Sequence, residues 1–131
     1  MLITRASEYA LLTLIEISSQ SEPIKAEQLS KKLNISKSFL AKILQNLAKA
    51  EILESYRGAS GGFLLKQELH KITILSVIQS VEGTNPSVFD CSSSIDCCPN
   101  SVSSCQIWPF LNKLQTKIDN FLDELTLQDL V

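Results

Sequence analysis

Residues 35–63 read ISKSFLAKILQNLAKAEILESYRGASGGF, and this stretch decides how the rest of the chain is interpreted. Its first half has apolar residues at steps of three and four, which predicts one continuous face of an amphipathic helix. That face comprises Ile35, Phe39, Leu40, Ile43, Leu44 and Leu47. The opposite face carries hydroxyl, amide and ammonium groups that can meet phosphate oxygens or base edges in a DNA groove. These groups belong to Ser36, Lys37, Ser38, Lys42, Gln45, Asn46 and Lys49.

A glycine-rich hairpin is predicted directly after this helix. Ile52 to Tyr56 has the composition of a short strand, and Phe63 to Leu65 that of a returning strand. The intervening turn, Arg57-Gly58-Ala59-Ser60-Gly61-Gly62, contains three glycines. A helix followed by a hairpin with an arginine at its tip is typical of a winged helix-turn-helix. The predicted fold class is therefore mainly α with a two-stranded wing.

Two further helices are predicted before the quoted stretch. Thr4 is a suitable N-cap for a buried helix over Ala6 to Ser18. A short amphipathic helix over Ala26 to Leu33 follows, with Asn34 as its C-terminal stop. Ser36 then caps the next helix, so two helices with a tight turn between them form the helix-turn-helix. In that motif the second helix places its N-terminal residues in the major groove.

The chain beyond the hairpin divides into three predicted parts. Residues 1–83 form the DNA-binding domain, ending with a helix over Ile74 to Val81 and Gly83. Residues 84–106 form a long polar segment that contains every cysteine, and residues 107–131 form a long C-terminal dimerisation helix. A small domain offers little surface for the apolar stripe of this helix, which favours packing against the same helix of a second copy. The stripe comprises Ile107, Phe110, Leu111, Leu114, Ile118, Phe121, Leu122 and Leu125.

The charge of the chain is unevenly distributed, although its net value is only −2. Residues 25–66 contain eight Lys or Arg and three Glu, a local net charge of +5, whereas residues 71–131 contain three Lys and seven acids, a net −4. A basic module followed by an acidic tail fits a DNA-binding domain with an assembly element. A mean hydropathy of +0.11 argues against disorder. The absence of a signal peptide or membrane-length apolar run predicts a cytoplasmic protein without membrane association.

The four cysteines, Cys91, Cys97, Cys98 and Cys105, lie within fifteen residues. In a cytosolic chain such clustering indicates metal or redox chemistry more than structural disulfides. A Cys-x2-Cys pair typical of zinc sites is missing, and adjacent Cys97 and Cys98 cannot easily bind one ion together. Three thiolates on a long segment suit an iron-sulfur cluster with a fourth ligand from elsewhere. A thiol switch and a zinc site stay open as alternatives, and the single histidine, His70, is interpreted as a surface residue.

Several motifs together resemble the IscR and NsrR family of iron-sulfur winged-helix transcription regulators over nearly the whole chain. They are Thr4 with Tyr9-Ala10, Ile35-Ser36-x-Ser38-Phe39-Leu40, Arg57-Gly58-x-x-Gly61-Gly62-Phe63, Ile72-Thr73-Ile74 through Glu82-Gly83, and the cysteine segment before a long helix. The resemblance implies a homodimeric regulator, usually a repressor, that binds double-stranded DNA. The polar face of the helix and the arginine at the glycine-rich tip predict the DNA-binding residues, which are Ser36, Lys37, Ser38, Lys42, Arg57 and Gly58.

The resemblance also implies an iron-sulfur cofactor and its ligands. Similar proteins with a 2Fe-2S cluster use a histidine just after the third cysteine, where this chain has Gln106, Ile107 and Trp108. Similar NsrR-type proteins complete a 4Fe-4S cluster with a carboxylate from the first helix of the partner subunit, at the position of Glu8 in this chain. The resemblance therefore favours 4Fe-4S over 2Fe-2S, with Glu8 of the partner subunit as the candidate fourth ligand. The implied metal ligands are Cys91, Cys97 and Cys105, with Cys98 as an alternate.

The expected function is control of DNA affinity by this cluster in response to iron, redox state or nitric oxide. The alternative is a cluster-free thiol-redox or metal-binding protein of the same fold. An enzyme is not expected, because the sequence shows no nucleophile with a base and no phosphate-cradling loop.

Overall fold

A computed structural model describes residues 3–87 and 106–131. Within these residues the chain forms five α-helices and one two-stranded antiparallel sheet. In chain order they are α1 (Arg5–Ser18), α2 (Ala26–Leu33), α3 (Lys37–Lys49), β1 (Leu53–Tyr56), β2 (Gly62–Leu65), α4 (Ile74–Glu82) and α5 (Trp108–Glu124), with 3-10 turns at Leu69–Lys71 and Leu127–Asp129. This order of helices and strands confirms the predicted winged helix-turn-helix.

The helix ends form where the capping residues predict them. The Thr4 side chain accepts a hydrogen bond from the Ser7 backbone N–H at 3.1 Å, and the Ser36 hydroxyl accepts one from Phe39 N–H at 3.3 Å. Such caps satisfy backbone donors that have no partner within the helix. Asn34, at the end of α2, has a φ of 55°, the left-handed conformation that stops a helix. The tight turn between α2 and α3 therefore follows from local sequence.

The wing is tied to the helices by a contact that the sequence pattern did not reveal. Ile24, between α1 and α2, forms a single β-bridge with Phe63, and each backbone N–H donates to the other's carbonyl at 2.9–3.2 Å. Gly62 precedes this bridge with a φ of 146°, and a Cβ there would lie 2.6 Å from the Ile24 carbonyl oxygen. Only glycine permits this approach, so Gly62 fixes the base of the wing against the helical domain.

The hydrophobic core lies between α1, α3 and α4, with the base of β1 at its edge. On α3 most of the predicted apolar face points inward: Leu40, Ile43, Leu44 and Leu47 are at most 2% exposed, whereas Phe39 is half-buried. They pack with buried residues of the neighbouring helices. The central members are Ala10, Leu14, Ile17, Leu40, Ile43, Leu44, Leu47, Val77 and Ile78. Burying this face of α3 leaves its polar face exposed.

The C-terminal helix corrects one sequence-based expectation. The small domain does cover part of its apolar stripe, since Leu122 is buried and Ile118 and Leu125 pack against the core. After α5 the chain adds Leu127, which is fully buried and whose backbone N–H donates to the Ile72 carbonyl at 3.0 Å. The expectation that the domain has little surface for the stripe is therefore wrong for Ile118, Leu122 and Leu125.

The other part of the stripe stays uncovered. Ile107, Phe110 and Phe121 are 57%, 61% and 59% exposed. On a helix of 3.6 residues per turn, Phe110, Leu114 and Phe121 fall within about 40° of one another, whereas Leu122 lies about 120° from Phe110. The stripe is thus wide enough to have one buried edge and one exposed edge. None of the helices in the described ranges is both long and apolar enough to cross a membrane.

Candidate nucleic-acid interface

The exposed face of α3 brings together most of the residues predicted to contact DNA. Ser36, Lys37, Ser38 and Lys42 are all exposed, on the side of the helix opposite its buried leucines. Ser36, Ser38 and Lys42 border an open depression of about 250 Å³ whose fourth wall is the half-buried ring of Phe39. A rigid helix therefore presents hydroxyl and ammonium donors around one concave surface.

The wing presents its arginine at the tip. Arg57 and Gly58 are exposed, and a hydrogen bond of 3.0 Å from Gly61 N–H to the Gly58 carbonyl closes the turn. Gly58 has a φ of 95°, a conformation that L side chains rarely adopt. Arg57 makes no ion pair with any other residue of the described ranges. Its guanidinium is therefore available to an external anion.

A tyrosine next to this arginine has a shifted acidity. The Tyr56 hydroxyl donates a hydrogen bond to the Glu54 carboxylate at 3.1 Å. This hydrogen bond and the negative charge of Glu54 raise the pKa of Tyr56 above its ordinary value. Tyr56 therefore stays neutral at physiological pH and contributes no anion beside the wing tip.

An open groove of about 520 Å³ separates α3 from the wing. Gln45, Ala48 and Lys49 line it from the helix, and Ser55 and Phe63 line it from the strands. Gln45 and Lys49 belong to the polar face read from the sequence. Ser55 was missed, because a serine in a short strand has no distinguishing spacing until the strand is placed beside the helix.

The first turn of α1 contains the residue named as the candidate fourth cluster ligand. Glu8 is exposed, and its carboxylate lies 3.5 Å from the Arg5 guanidinium. Within residues 3–87 and 106–131, no group of three or more His, Cys, Asp or Glu is arranged to hold a metal ion. Cys91, Cys97, Cys98 and Cys105 lie outside the described residues. The metal-site prediction therefore stays a prediction.

Two polar contacts attach the chain to the helices where it enters the cysteine-containing segment. At the C-terminus of α4, the Glu82 carboxylate accepts hydrogen bonds from the hydroxyls of Thr4 and Ser7, the latter at 3.1 Å. On α5, Gln115 is only 8% exposed and its amide donates to the Pro86 carbonyl at 2.6 Å. The Gln115 amide also donates to Asp119 at 2.8 Å. The chain entering the segment is thus fixed to both α1 and α5.

Comparisons with known proteins place this geometry in a family. The Rrf2 model, described as iron-dependent transcriptional regulator, matches residues 3–131. The chain belongs to the Rrf2 family. It is 29% identical over 133 residues to the HTH-type transcriptional regulator IscR of Vibrio campbellii, covering all of this chain and 77% of the relative.

Solved structures of the same fold include two with a TM-score of 0.76. One is CymR, the global cysteine regulator of B. subtilis, at 24% identity, with 99% of this chain and 95% of that chain covered. The other is a putative transcriptional regulator from Listeria innocua at 27% identity, covering 98% of this Rrf2 chain and 84% of that one. This Rrf2 protein is therefore a DNA-binding transcriptional regulator and not an enzyme.

Proposed function

We propose that this Rrf2 protein is a homodimeric repressor whose affinity for a DNA operator is set by an iron-sulfur cluster on the cysteine segment, in response to iron, redox state or nitric oxide. The observation that carries the proposal is the joining of a winged helix-turn-helix to four cysteines within fifteen residues. The family description, iron-dependent transcriptional regulator, supports the same combination.

DNA binding is assigned to α3 and the wing. With α3 in a major groove, Ser36, Ser38 and Lys42 face base edges and phosphates, since the opposite face of the helix is committed to the core. Arg57 at the wing tip then reaches the adjacent minor groove, where a narrow A·T-rich stretch concentrates negative potential. Lys37 and Gly58 complete the proposed contact surface, through an ammonium group and an exposed backbone respectively.

The second copy is assigned to the exposed edge of α5. Phe110 and Phe121 lie on one side of this helix and are each about three-fifths exposed. Large exposed aromatic side chains aligned on one helix face are a common basis of two-fold interfaces. A dimer on this surface supplies two recognition helices, which a palindromic operator requires.

The cluster is assigned to the thiolates of Cys91, Cys97 and Cys105, with Cys98 as the alternate ligand. Thiolates are the usual protein ligands of iron-sulfur clusters, so the donor set fits the group. Glu8 of the partner subunit is the proposed fourth ligand, and the absence of a histidine after Cys105 favours 4Fe-4S over 2Fe-2S. Glu8 is exposed and only loosely paired with Arg5, so its carboxylate is accessible to such a role. When bound, the cluster would react with oxidants and nitric oxide and would be lost when iron is scarce.

The contacts at the base of the cysteine segment provide a route from that segment to the DNA-binding surface. Glu82 joins it to α1, which packs against α3, and Gln115 joins it to α5, the proposed dimer helix. We expect a change in the segment that alters either contact to alter the relative placement of the two recognition helices. Two arrangements of these contacts would supply the two-state element that linkage between cluster and DNA requires.

The test of the cluster is the iron and sulfide content of protein purified without oxygen. We expect near-stoichiometric iron and sulfide in the wild type and in Cys98→Ala, and loss of both in the matched Cys97→Ala variant. Glu8→Ala should lower cluster retention, whereas full retention would remove only the cross-subunit ligand. Stoichiometric zinc with no sulfide would contradict the cluster and favour the cluster-free thiol or metal-binding alternative.

The test of regulation compares DNA affinity before and after cluster removal. The probe is a duplex selected in vitro from random sequence for retention by the wild-type protein. Allosteric coupling of the usual size changes affinity about 5- to 150-fold. Equal affinity in both states would show that the cluster does not control DNA binding.

A further inference from the structure

We infer that Arg5, whose guanidinium lies over the ring of Tyr9, is a further DNA-backbone contact, on α1 beside the recognition helix α3. The inference rests on the proposed DNA-binding function and extends it to a helix outside the helix-turn-helix pair. It assigns a specific ligand class, the phosphodiester backbone, to a residue whose side chain is 70% exposed.

The aromatic pair connects this arginine to the proposed DNA surface. Phe39 lines the depression formed with Ser36, Ser38 and Lys42. The Tyr9 ring meets Phe39 edge-to-face, with ring centroids 5.7 Å apart and an interplanar angle of 82°. The Arg5 guanidinium carbon in turn lies 5.7 Å from the centroid of the Tyr9 ring. The three side chains therefore form one continuous surface from the first turn of α3 to the first turn of α1.

The dimensions of this surface match those of a DNA groove. Two successive steps of 5.7 Å keep the Arg5 guanidinium within the roughly 12 Å width of a major groove from Phe39. With the first turn of α3 inside the groove, we assign Arg5 to the strand that borders it. That position suits a phosphate contact, which orients a protein on the duplex without reading its sequence.

The electrostatic surroundings allow Arg5 to take a phosphate. The cation–π contact with Tyr9, at 5.7 Å, favours this position of the guanidinium and leaves its charge intact. Its one ion-pair partner in the described ranges is Glu8, at 3.5 Å in an exposed pair three residues apart. Exposed pairs of this kind are weak, so a DNA phosphate can replace Glu8 at the guanidinium or bind it together with Glu8. A guanidinium has five N–H donors, more than one carboxylate can engage.

The experiment measures the salt dependence of binding to the selected duplex described above. Each phosphate contact contributes about 0.9 to the slope of log affinity against log salt. Arg5→Ala, which removes one contact per subunit, should therefore lower the slope of the dimer by about 1.8. Between 50 and 200 mM salt, the affinity of this variant should fall about tenfold less than that of the wild type. In phosphate-ethylation interference, Arg5→Ala should lose sensitivity at the phosphates that Arg5 contacts, at the same position in both half-sites.

Two control variants separate this contact from a general charge effect. Arg5→Lys keeps the charge and should keep most of the slope. Lys71→Ala removes the same charge from an exposed site in the 3-10 turn before α4, away from both proposed binding surfaces, and should retain the wild-type slope. A wild-type slope and ethylation pattern in Arg5→Ala, or an equal fall in Lys71→Ala, would overturn the assignment of Arg5. Wild-type protein that retains no duplex would instead overturn the proposed DNA-binding function, together with this inference.

Discussion

Helices α3 and α5 are both amphipathic, but the domain buries them differently. On α3 the core-facing side chains of Leu40, Ile43, Leu44 and Leu47 are at most 2% exposed, and Phe39 is half-buried. The apolar face of α5 is divided, because Leu122 is buried whereas Phe110 and Phe121 are about 60% exposed. The exposed side of α3 is therefore mainly polar, whereas α5 keeps an exposed apolar surface.

This difference indicates which kind of partner each helix can take. The exposed side of α3 has serine hydroxyls and lysine ammonium groups, which suit DNA, and burial of the other side holds them rigidly. The exposed side of α5 has aromatic rings, which gain free energy when removed from water. One domain therefore presents a polar surface and an apolar surface, which we propose bind nucleic acid and a second copy respectively.

The largest expected effect is the loss of the dimer when the exposed edge of α5 is substituted. We predict that Phe110→Glu with Phe121→Glu gives folded monomers. Four phenylalanines in a two-fold interface contribute of the order of 6 to 12 kcal/mol before the cost of association. Sedimentation analysis measures the change, and far-ultraviolet circular dichroism checks the fold. Asn112→Glu with Asn120→Glu adds the same charges at exposed polar sites of α5 and should leave the dimer intact. A dimer mass for the phenylalanine variant would place the interface elsewhere.

The next effect concerns the buried side of α3. Leu44→Ala should lower the free energy of unfolding by about 2 to 5 kcal/mol, because it leaves a cavity in the core. Lys42→Ala, on the exposed side of the same helix, should change it by no more than about 0.5 kcal/mol. Urea unfolding followed by circular dichroism measures both. If the two variants were equally stable, the division of α3 into a core side and a DNA side would be wrong.

A smaller effect is expected at the wing tip, where the exposed Arg57 side chain is not part of the hydrophobic core. Arg57→Ala should cost about 1 to 3 kcal/mol in specific DNA binding and leave stability unchanged. Lys66→Ala removes the same charge after β2, where Lys66 pairs with Glu51 at 3.4 Å, and should weaken binding less. Fluorescence anisotropy with a labelled selected duplex measures both affinities. Unchanged affinity in Arg57→Ala would remove the wing from the proposed contact surface.

The smallest effect is at the start of α3, where Ser36 both caps the helix and faces the proposed DNA site. Ser36→Ala should lower stability by about 0.5 to 2 kcal/mol, since Phe39 N–H loses its acceptor. Ser36→Asp retains a capping oxygen but adds negative charge, so it should keep the stability and weaken DNA binding. Thermal unfolding and anisotropy separate the two roles. Ser36→Asp that binds DNA like the wild type would show that Ser36 serves the fold alone.

Local sequence determined the helices and the turns of this protein. Thr4, Asn34 and Ser36 act as caps within a few residues of their own positions, so their effect does not depend on the rest of the fold. The spacing in α3 likewise identified its buried face, because the domain covers all of that face except part of the Phe39 ring. The glycines between Arg57 and Phe63 identified the wing for the same local reason.

Only the tertiary structure decided how these elements meet. The bridge from Ile24 to Phe63 and the hydrogen bond from Ser7 to Glu82 join residues far apart in sequence, where neither partner has a distinctive spacing. The sequence pattern also could not predict that the apolar stripe of α5 has one buried and one exposed edge. Periodicity gives the width of the stripe but not the part of it that the domain covers. Which edge is covered depends on where α4 lies, and that is set by packing across the whole core.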